Sequence, residues 1–267
     1  MQILPFEVAN LNELESLQPP DWLDLKIAFR YYLHHFGFCN PIKIVINSCI
    51  VGIGTTIIHN DVAWLAHIVV HPDFRKQGIG KIITTTLIES VKKHSCKTIL
   101  LVSTDLGKPV YEKIGFEIVG EYAFLRNDNY GNEGEISENI QKLDQKYFDA
   151  VLILDQKVSG EDRSNQIEDY FLDSFVYLEK NKICGYYLPA FGAGLIVAEN
   201  EEAGIELIKL RNKTHNIATL PSENESALKF LKENNFKQYR TAKRMSLGEK
   251  LNWHPEMFFN RISGQIG

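Results

Sequence analysis

The stretch HPDFRKQGIGK, His71 to Lys81, marks a change of period in the chain. Ahead of it, Trp64-Leu65-Ala66-His67-Ile68-Val69-Val70 is short, apolar and rich in β-branched residues, as a buried strand is. Behind it, Ile82, Ile83, Leu87, Ile88 and Val91 recur at helical spacing. A strand therefore hands over to a helix through a basic loop with two glycines, which points to an α/β arrangement. A helix start leaves four N–H groups without intrahelical partners and carries about half a positive charge. Gly78 and Gly80 take side chains away from that spot, and Arg75, Lys76 and Lys81 surround it with charge. These are the ingredients of a phosphate site; a solvated basic turn is the other reading of the same residues.

The order of elements around the loop recurs later in the chain. The first half reads as a strand at 3–9, a short helix opening at Asn10, and a second helix capped by Asp21. Strands follow at 42–47, 50–59 and 63–70, then a helix at 80–93, a strand at 98–104, a helix at 108–114 closed by Gly115, and a strand at 116–126. Asn127 to Glu135 (NDNYGNEGE) is polar, glycine-bearing and aperiodic, which suits a linker. Beyond it, 136–146 and 165–175 read as helices, 176–179 with 183–189 as a hairpin, and 193–198 as a strand. A helix at 203–212, a strand at 217–221, a helix at 223–234 and a strand at 236–246 complete the series. Ser48-Cys49-Ile50-Val51-Gly52 resembles Asn181-Lys182-Ile183-Cys184-Gly185, and VYEKIGF (110–116) resembles FLKENNF (230–236). A duplication follows, with domains at 1–126 and 136–267. The second copy is shorter where the first has its glycine loop, and its counterpart AENEEAG carries three carboxylates that repel an anion.

Composition narrows the function. With 267 residues, 44% hydrophobic and 24% charged, the chain can bury a core. A net charge of −5 argues against a general nucleic-acid binder, which needs a basic face. Cys39, Cys49, Cys96 and Cys184 show no metal-ligand spacing and read as reduced, mostly buried thiols. No long apolar run or signal-like start is present, so the expectation is a cytoplasmic protein without membrane attachment.

Two nucleotide motifs fail on the loop. A P-loop requires glycine where Arg75 stands and Ser or Thr where Ile82 stands, and a dinucleotide fingerprint requires a third glycine at Ile83. RKQGIG (75–80), placed after IVVHPDF and ahead of an amphipathic helix, instead resembles the R/Q-x-x-G-x-G/A element of the GNAT superfamily of N-acetyltransferases. PVYEKIGF (109–116) resembles that family's second landmark, in the right order and spacing. The resemblance covers 1–126 well, and the second half looks like the degenerate GNAT-like domain of tandem members. It implies an α/β (α+β) fold, a mixed, mostly antiparallel sheet flanked by helices and duplicated as two domains. It also implies acetyl-CoA as co-substrate without a metal, and a small-molecule or protein amine as acceptor, in a monomer or homodimer. A sensor or interaction module that binds acyl-CoA without turnover is the alternative.

Carried over by the resemblance, Ile68, Val69 and Val70 line the pantetheine through their backbone. Arg75, Lys76, Gln77, Gly78, Ile79, Gly80 and Lys81 hold the diphosphate, and Tyr111 faces the sulfur as general acid. Many relatives place Glu or His ahead of the loop where Ala66 and Trp64 stand here. His67 and Asp61 are the base candidates, although strand alternation turns His67 to the other face. The asparagine usual ahead of the tyrosine is replaced by TDLGKP (104–109). Trp22, Arg30, Tyr31, Tyr32 and Trp64 are candidates for the acceptor pocket, with Phe191 and Gly192 to Gly194 at its border.

Overall fold

A computed structural model describes residues 1–20, 22–129, 135–264 and 266. Asp21, expected as a cap, and 130–134 of the expected linker lie outside the described residues. In chain order the elements are β1 (Gln2–Pro5), a 3-10 stretch (Val8–Leu17), α1 (Leu25–His34), β2 (Cys39–Ile46), β3 (Cys49–His59), β4 (Val62–Val70), α2 (Ile79–Lys92), β5 (Thr98–Ser103), α3 (Lys108–Ile114) and β6 (Glu117–Arg126). The second series is β7 (Ile140–Lys142), α4 (Phe148–Ser159), α5 (Ser164–Ile167), β8 (Phe175–Glu179), β9 (Lys182–Leu188), β10 (Leu195–Ala198), α6 (Glu201–Arg211), β11 (Ile217–Pro221), α7 (Glu225–Glu233), β12 (Lys237–Gly248) and β13 (Phe258–Asn260). The fold is the mixed, mostly antiparallel sheet with flanking helices that was expected. No helix among the described residues is long and apolar enough to cross a membrane.

Contacts divide the described residues into two units, the first comprising Met1–Glu117, Met245–Lys250 and Ile266, the second 118–244 and 251–264. In the first, β1 to β4 are antiparallel neighbours, β4 pairs in parallel with β5, and the end of β12 lies next to β5. Gly248 is required there: its φ is 102° and a Cβ would meet the Lys97 carbonyl oxygen at 2.1 Å. Ile83, Leu87 and Val91 of α2 pack on Ile44, Leu65 and Leu101 of the sheet to form the core. In the second unit, β7 to β10 with β13 make one antiparallel sheet, while β6 lies between β11 and the first part of β12. The division falls ahead of the expected linker because β6 packs with β11 and with the core of Leu207, Leu220 and Leu231.

Both copies share one device. The β2–β3 turn has positive φ at Asn47 and Ser48, and the β8–β9 turn at Lys180 and Asn181, as tight hairpins demand. Behind each turn a glycine lets a helix lie close. A Cβ on Gly52 would meet Ile83 at 2.8 Å, and one on Gly185 would meet Leu207 at 3.1 Å.

Four expectations change. α1 is capped by Asp24, whose side chain accepts from the Lys26 N–H. The expected helix at 136–146 is strand β7 and a 3-10 turn, because Ile140 pairs with Tyr177 across the sheet and tertiary pairing overrides local pattern. The helix comes later, as α4, burying Val151, Leu154 and Val158; the expected helix at 165–175 shrinks to α5 and a 3-10 turn. Among the cysteines, Cys39 and Cys184 are buried but Cys49, opening β3, is exposed.

Candidate functional site

The centre of the candidate site is where β4 ends and α2 begins. β4 and β5 are paired over Val62, Ala63 and Trp64 with Thr98, Ile99 and Leu100; β4 then continues to Val70 without β5 alongside. The edge of β4 beyond Trp64 thus has no strand partner on that side among the described residues, leaving a wedge between the two strands.

Within that stretch β4 bulges. Thr55 pairs with Ala66 and Ile53 with Val69, so His67 and Ile68 stand opposite Gly54 alone. His67 takes a φ of 48°, an uncommon conformation for a non-glycine residue that strands accommodate at bulges. The extra residue resets the alternation. Ala63 and Leu65 face α2, but His67 turns to α1 and Ile68 back to α2. His67 therefore does not point away from the Trp64 and Ala66 face, as alternation alone implied. Its Nδ1 lies 2.7 Å from the Tyr32 hydroxyl, with the rings of Trp22 and Phe29 around it.

Burial pushes the His67 pKa down to about 3, so the imidazole is neutral across the physiological range. The unfolded chain binds a proton there below about pH 6.5 and the folded chain does not, so acid erodes stability between 6.5 and 3. His67→Asn, a residue that tolerates positive φ, is expected to flatten that slope by about 1.4 kcal/mol per pH unit. Urea unfolding at pH 7.5 and 5.5 checks this; equal pH dependence in both proteins would refute the burial account.

Asp61, the other base candidate, precedes β4 at the end opposite the loop, about 30 Å away at ~3.3 Å per strand residue. There its carbonyl accepts from the Lys97 N–H and its carboxylate lies 3.4 Å from Lys97 Nζ. Trp64 is fully buried and offers no surface to an acceptor. Tyr31 is half-buried on α1, its ring centroid 4.1 Å from that of His35. Phe191 is buried too, stacked on Tyr170.

At the loop, Phe74 is half-buried against the α2 core and Arg75 Nε donates to the Val70 carbonyl, tying the loop to its strand. Gln77 Nε2 donates to the Asp73 carbonyl. Lys76 (φ 60°) and Gly78 (φ 83°) both adopt the left-handed region, which curls the backbone into a concave turn. Gly78 caps α2 without any side-chain bond, and the first helical bond runs from Ile82 N–H to Gly78 O. The amides of Ile79, Gly80 and Lys81 lie ahead of that bond. Nothing stands within 4 Å of where a Gly78 Cβ would be, and only Val70 Cγ2, at 3.8 Å, faces that of Gly80. Arg75, Lys76, Gln77 and Lys81 are exposed around the opening, while the Ile79 side chain is buried beneath it.

The second copy closes the same place. The Asn200 side chain accepts from the Ala203 N–H at 2.9 Å, and Glu201 and Glu202 fill the first turn of α6. Sequence reading found the carboxylates but missed this cap, although Asn followed three residues on by Ala at a helix start is a legible signal.

On the neighbouring helix, Tyr111 is 8% exposed and a Cβ at Gly107 would meet its ring at 2.9 Å. α3 starts with Pro109 in its first turn and ends on Gly115 at φ 109°, as expected. Burial raises the Tyr111 pKa to about 12, which keeps its proton on.

Comparison with known proteins agrees with this architecture. Residues 8–116 match the Acetyltransferase (GNAT) family and 151–260 match an Acetyltransferase (GNAT) domain. No curated protein sequence matches the chain. Among solved structures, a Pyrococcus horikoshii protein assigned as an acetyltransferase is similar at a TM-score of 0.84 and 18% identity, over 100% of this chain and 95% of its own. A GCN5-related N-acetyltransferase from Sphaerobacter thermophilus gives 0.66 and 13%, covering 94% and 98%. A tandem GNAT protein from the clavulanic acid biosynthesis pathway gives 0.62 and 12%, covering 92% and 98%. At these identities the likeness is one of fold. With both halves matched to GNAT models, the chain belongs to the GNAT acetyltransferases as a tandem protein of two GNAT domains.

Proposed function

We propose that the first copy transfers an acetyl group from acetyl-CoA to a primary amine by direct attack on the thioester, the second copy having lost that capacity. The observation that carries this reading is the contrast between two equivalent helix starts. α2 opens on bare amides beside the wedge of β4 and β5, whereas α6 caps itself with Asn200. Bound coenzyme supplies an acyl carbon activated as a thioester. The amides of Gly78, Ile79, Gly80 and Lys81, with Arg75, Lys76 and Gln77 around them, suit its diphosphate. On the edge of β4 away from β3, Ile68 and Val70, with Val69 between them bonded to β3, offer donors to the pantetheine and to the acyl oxygen as negative charge grows there.

Tyr111 retains its proton at neutral pH and gives it to the departing sulfur. Because a thiol pKa lies near 8.5, the thiolate is already a fair leaving group, so this help is modest. Tyr111→Phe is expected to slow thiol release about tenfold with coenzyme A affinity unchanged. An amine panel read by a thiol reagent measures it, and an unaltered rate would remove Tyr111 from the chemistry. His67 does not take the proton from an ammonium at neutral pH, so the amine attacks as the small neutral fraction or loses its proton to water. That same lack of basicity favours a second reading, a coenzyme-binding sensor without turnover. Coenzyme A binding with no amine turned over selects the sensor.

A further inference from the structure

We propose that Tyr32 is a positioning residue for acyl transfer: through His67 it fixes the direction of the Ile68 N–H, the first donor on the open edge of β4 after the bulge. The consequence for rate rests on the acyl-transfer reading; the geometry stands apart from it.

A trans peptide is rigid, so the Ile68 N–H points where the backbone angles of His67 send it. Those angles are unusual. His67 has a φ of 48° as the left-handed member of the bulge opposite Gly54, a place that glycine fills at least cost. A histidine in that conformation has to be held there, and such strain marks a position with a use.

The hold is at the far end of the side chain. His67 Nδ1 and the Tyr32 hydroxyl lie 2.7 Å apart, and the two residues are 5% and 4% exposed. The Trp22 ring meets the imidazole edge-on at 5.8 Å and the Phe29 ring centroid lies 6.0 Å away, so the imidazole is clasped on the α1 side. Burial keeps it neutral at physiological pH, and the bond to Tyr32 forms whichever of the two atoms carries the proton.

The second copy lacks this device. β10 runs in unbroken register with β9 from Leu195 to Ala198, and its other edge is paired with β13 at Ile196 and Val197. A left-handed residue and an open edge occur together in β4; β10 has neither.

The test reads geometry and rate separately. Labelling the carbonyl carbon of histidine and the nitrogen of isoleucine singles out one amide resonance, because His67-Ile68 is the only His-Ile pair in the chain. In the unaltered chain that resonance is expected to shift more with acetyl-CoA than with coenzyme A, and in ligand-free Tyr32→Phe to move or broaden. In thiol release with an accepted amine, Tyr32→Phe is expected to lower kcat about tenfold or more. The KM for acetyl-CoA and the affinity for coenzyme A are expected to stay as they were. His67→Asn, whose amide reaches the Nδ1 position and which tolerates positive φ, is expected to lose less than His67→Leu. In the His67→Leu background, Tyr32→Phe is expected to cost nothing further. If His67→Leu fails to fold, Tyr32→Phe, which loses a single oxygen, decides.

An Ile68 resonance in Tyr32→Phe that superimposes on that of the unaltered chain overturns the proposal. So does an undiminished kcat, or one that falls only in step with coenzyme A affinity. If the unaltered chain turns over no amine, the acyl-transfer reading fails, and the resonance alone decides whether Tyr32 sets the Ile68 N–H.

Discussion

Gly80→Glu is expected to abolish coenzyme A binding while leaving the first unit folded. Room exists for the side chain, because a Cβ at Gly80 meets only Val70 Cγ2 at 3.8 Å. The backbone there is not left-handed, so glycine is not required for conformation. A carboxylate in the first turn also favours the helix itself, through its exposed N–H groups and dipole. What the change destroys is the affinity of those amides for an outside anion. A carboxylate about 5 Å from a phosphate charge, at the effective dielectric of a protein surface, turns attraction into ~3 kcal/mol of repulsion for each charge pair. That corresponds to a loss of at least about 100-fold. Calorimetric titration of coenzyme A measures it, with the far-ultraviolet circular dichroism and melting curve of the variant as the folding check. A folded variant of undiminished affinity would remove the α2 loop from the site.

Asp155→Ala is expected to cost the second unit about 3–5 kcal/mol. The Asp155 carboxylate, 2% exposed on α4, accepts from Arg163 Nε at 2.8 Å and Nη2 at 2.7 Å, and from the Tyr186 hydroxyl. Arg163 is 1% exposed. Burial works against its charge, and the Asp155 carboxylate more than offsets that, so its pKa is raised. Remove the carboxylate and a guanidinium is left in the core with only the weaker pull of the Glu161 charge to offset its burial. The double variant Asp155→Leu with Arg163→Met is expected to recover most of the loss, since well-packed apolar side chains replace a buried pair at little net cost. Urea unfolding followed by far-ultraviolet circular dichroism measures this loss. Equal stability of Asp155→Ala and the unaltered chain would show that Arg163 has another way to be compensated.

The sequence conveyed local chemistry well and long-range pairing badly. α3, from Lys108 to Ile114 with Gly115 closing it, is legible because proline, helical spacing and a terminal glycine all act within a few residues. β7 is not, since Ile140 becomes a strand residue only by meeting Tyr177. His67 shows the same limit inside one strand. Alternation assigns it a face, and one bulge against Gly54, set by the register with β3, reverses it. Trp64 reads as a pocket aromatic and is core, because burial sums over elements far apart in the chain.

By itself, then, the order of residues determined where extended chain turns to helix, where glycine leaves the backbone bare, and that the whole pattern is repeated. These outcomes rest on torsional preference and on contacts a few residues away. Only the tertiary structure decided that β6 is counted with the second unit and the end of β12 with the first, which way His67 faces, and which buried charges find partners. The reason is physical: backbone amides pair without regard to side-chain identity, and the cost of a charge depends on everything folded around it.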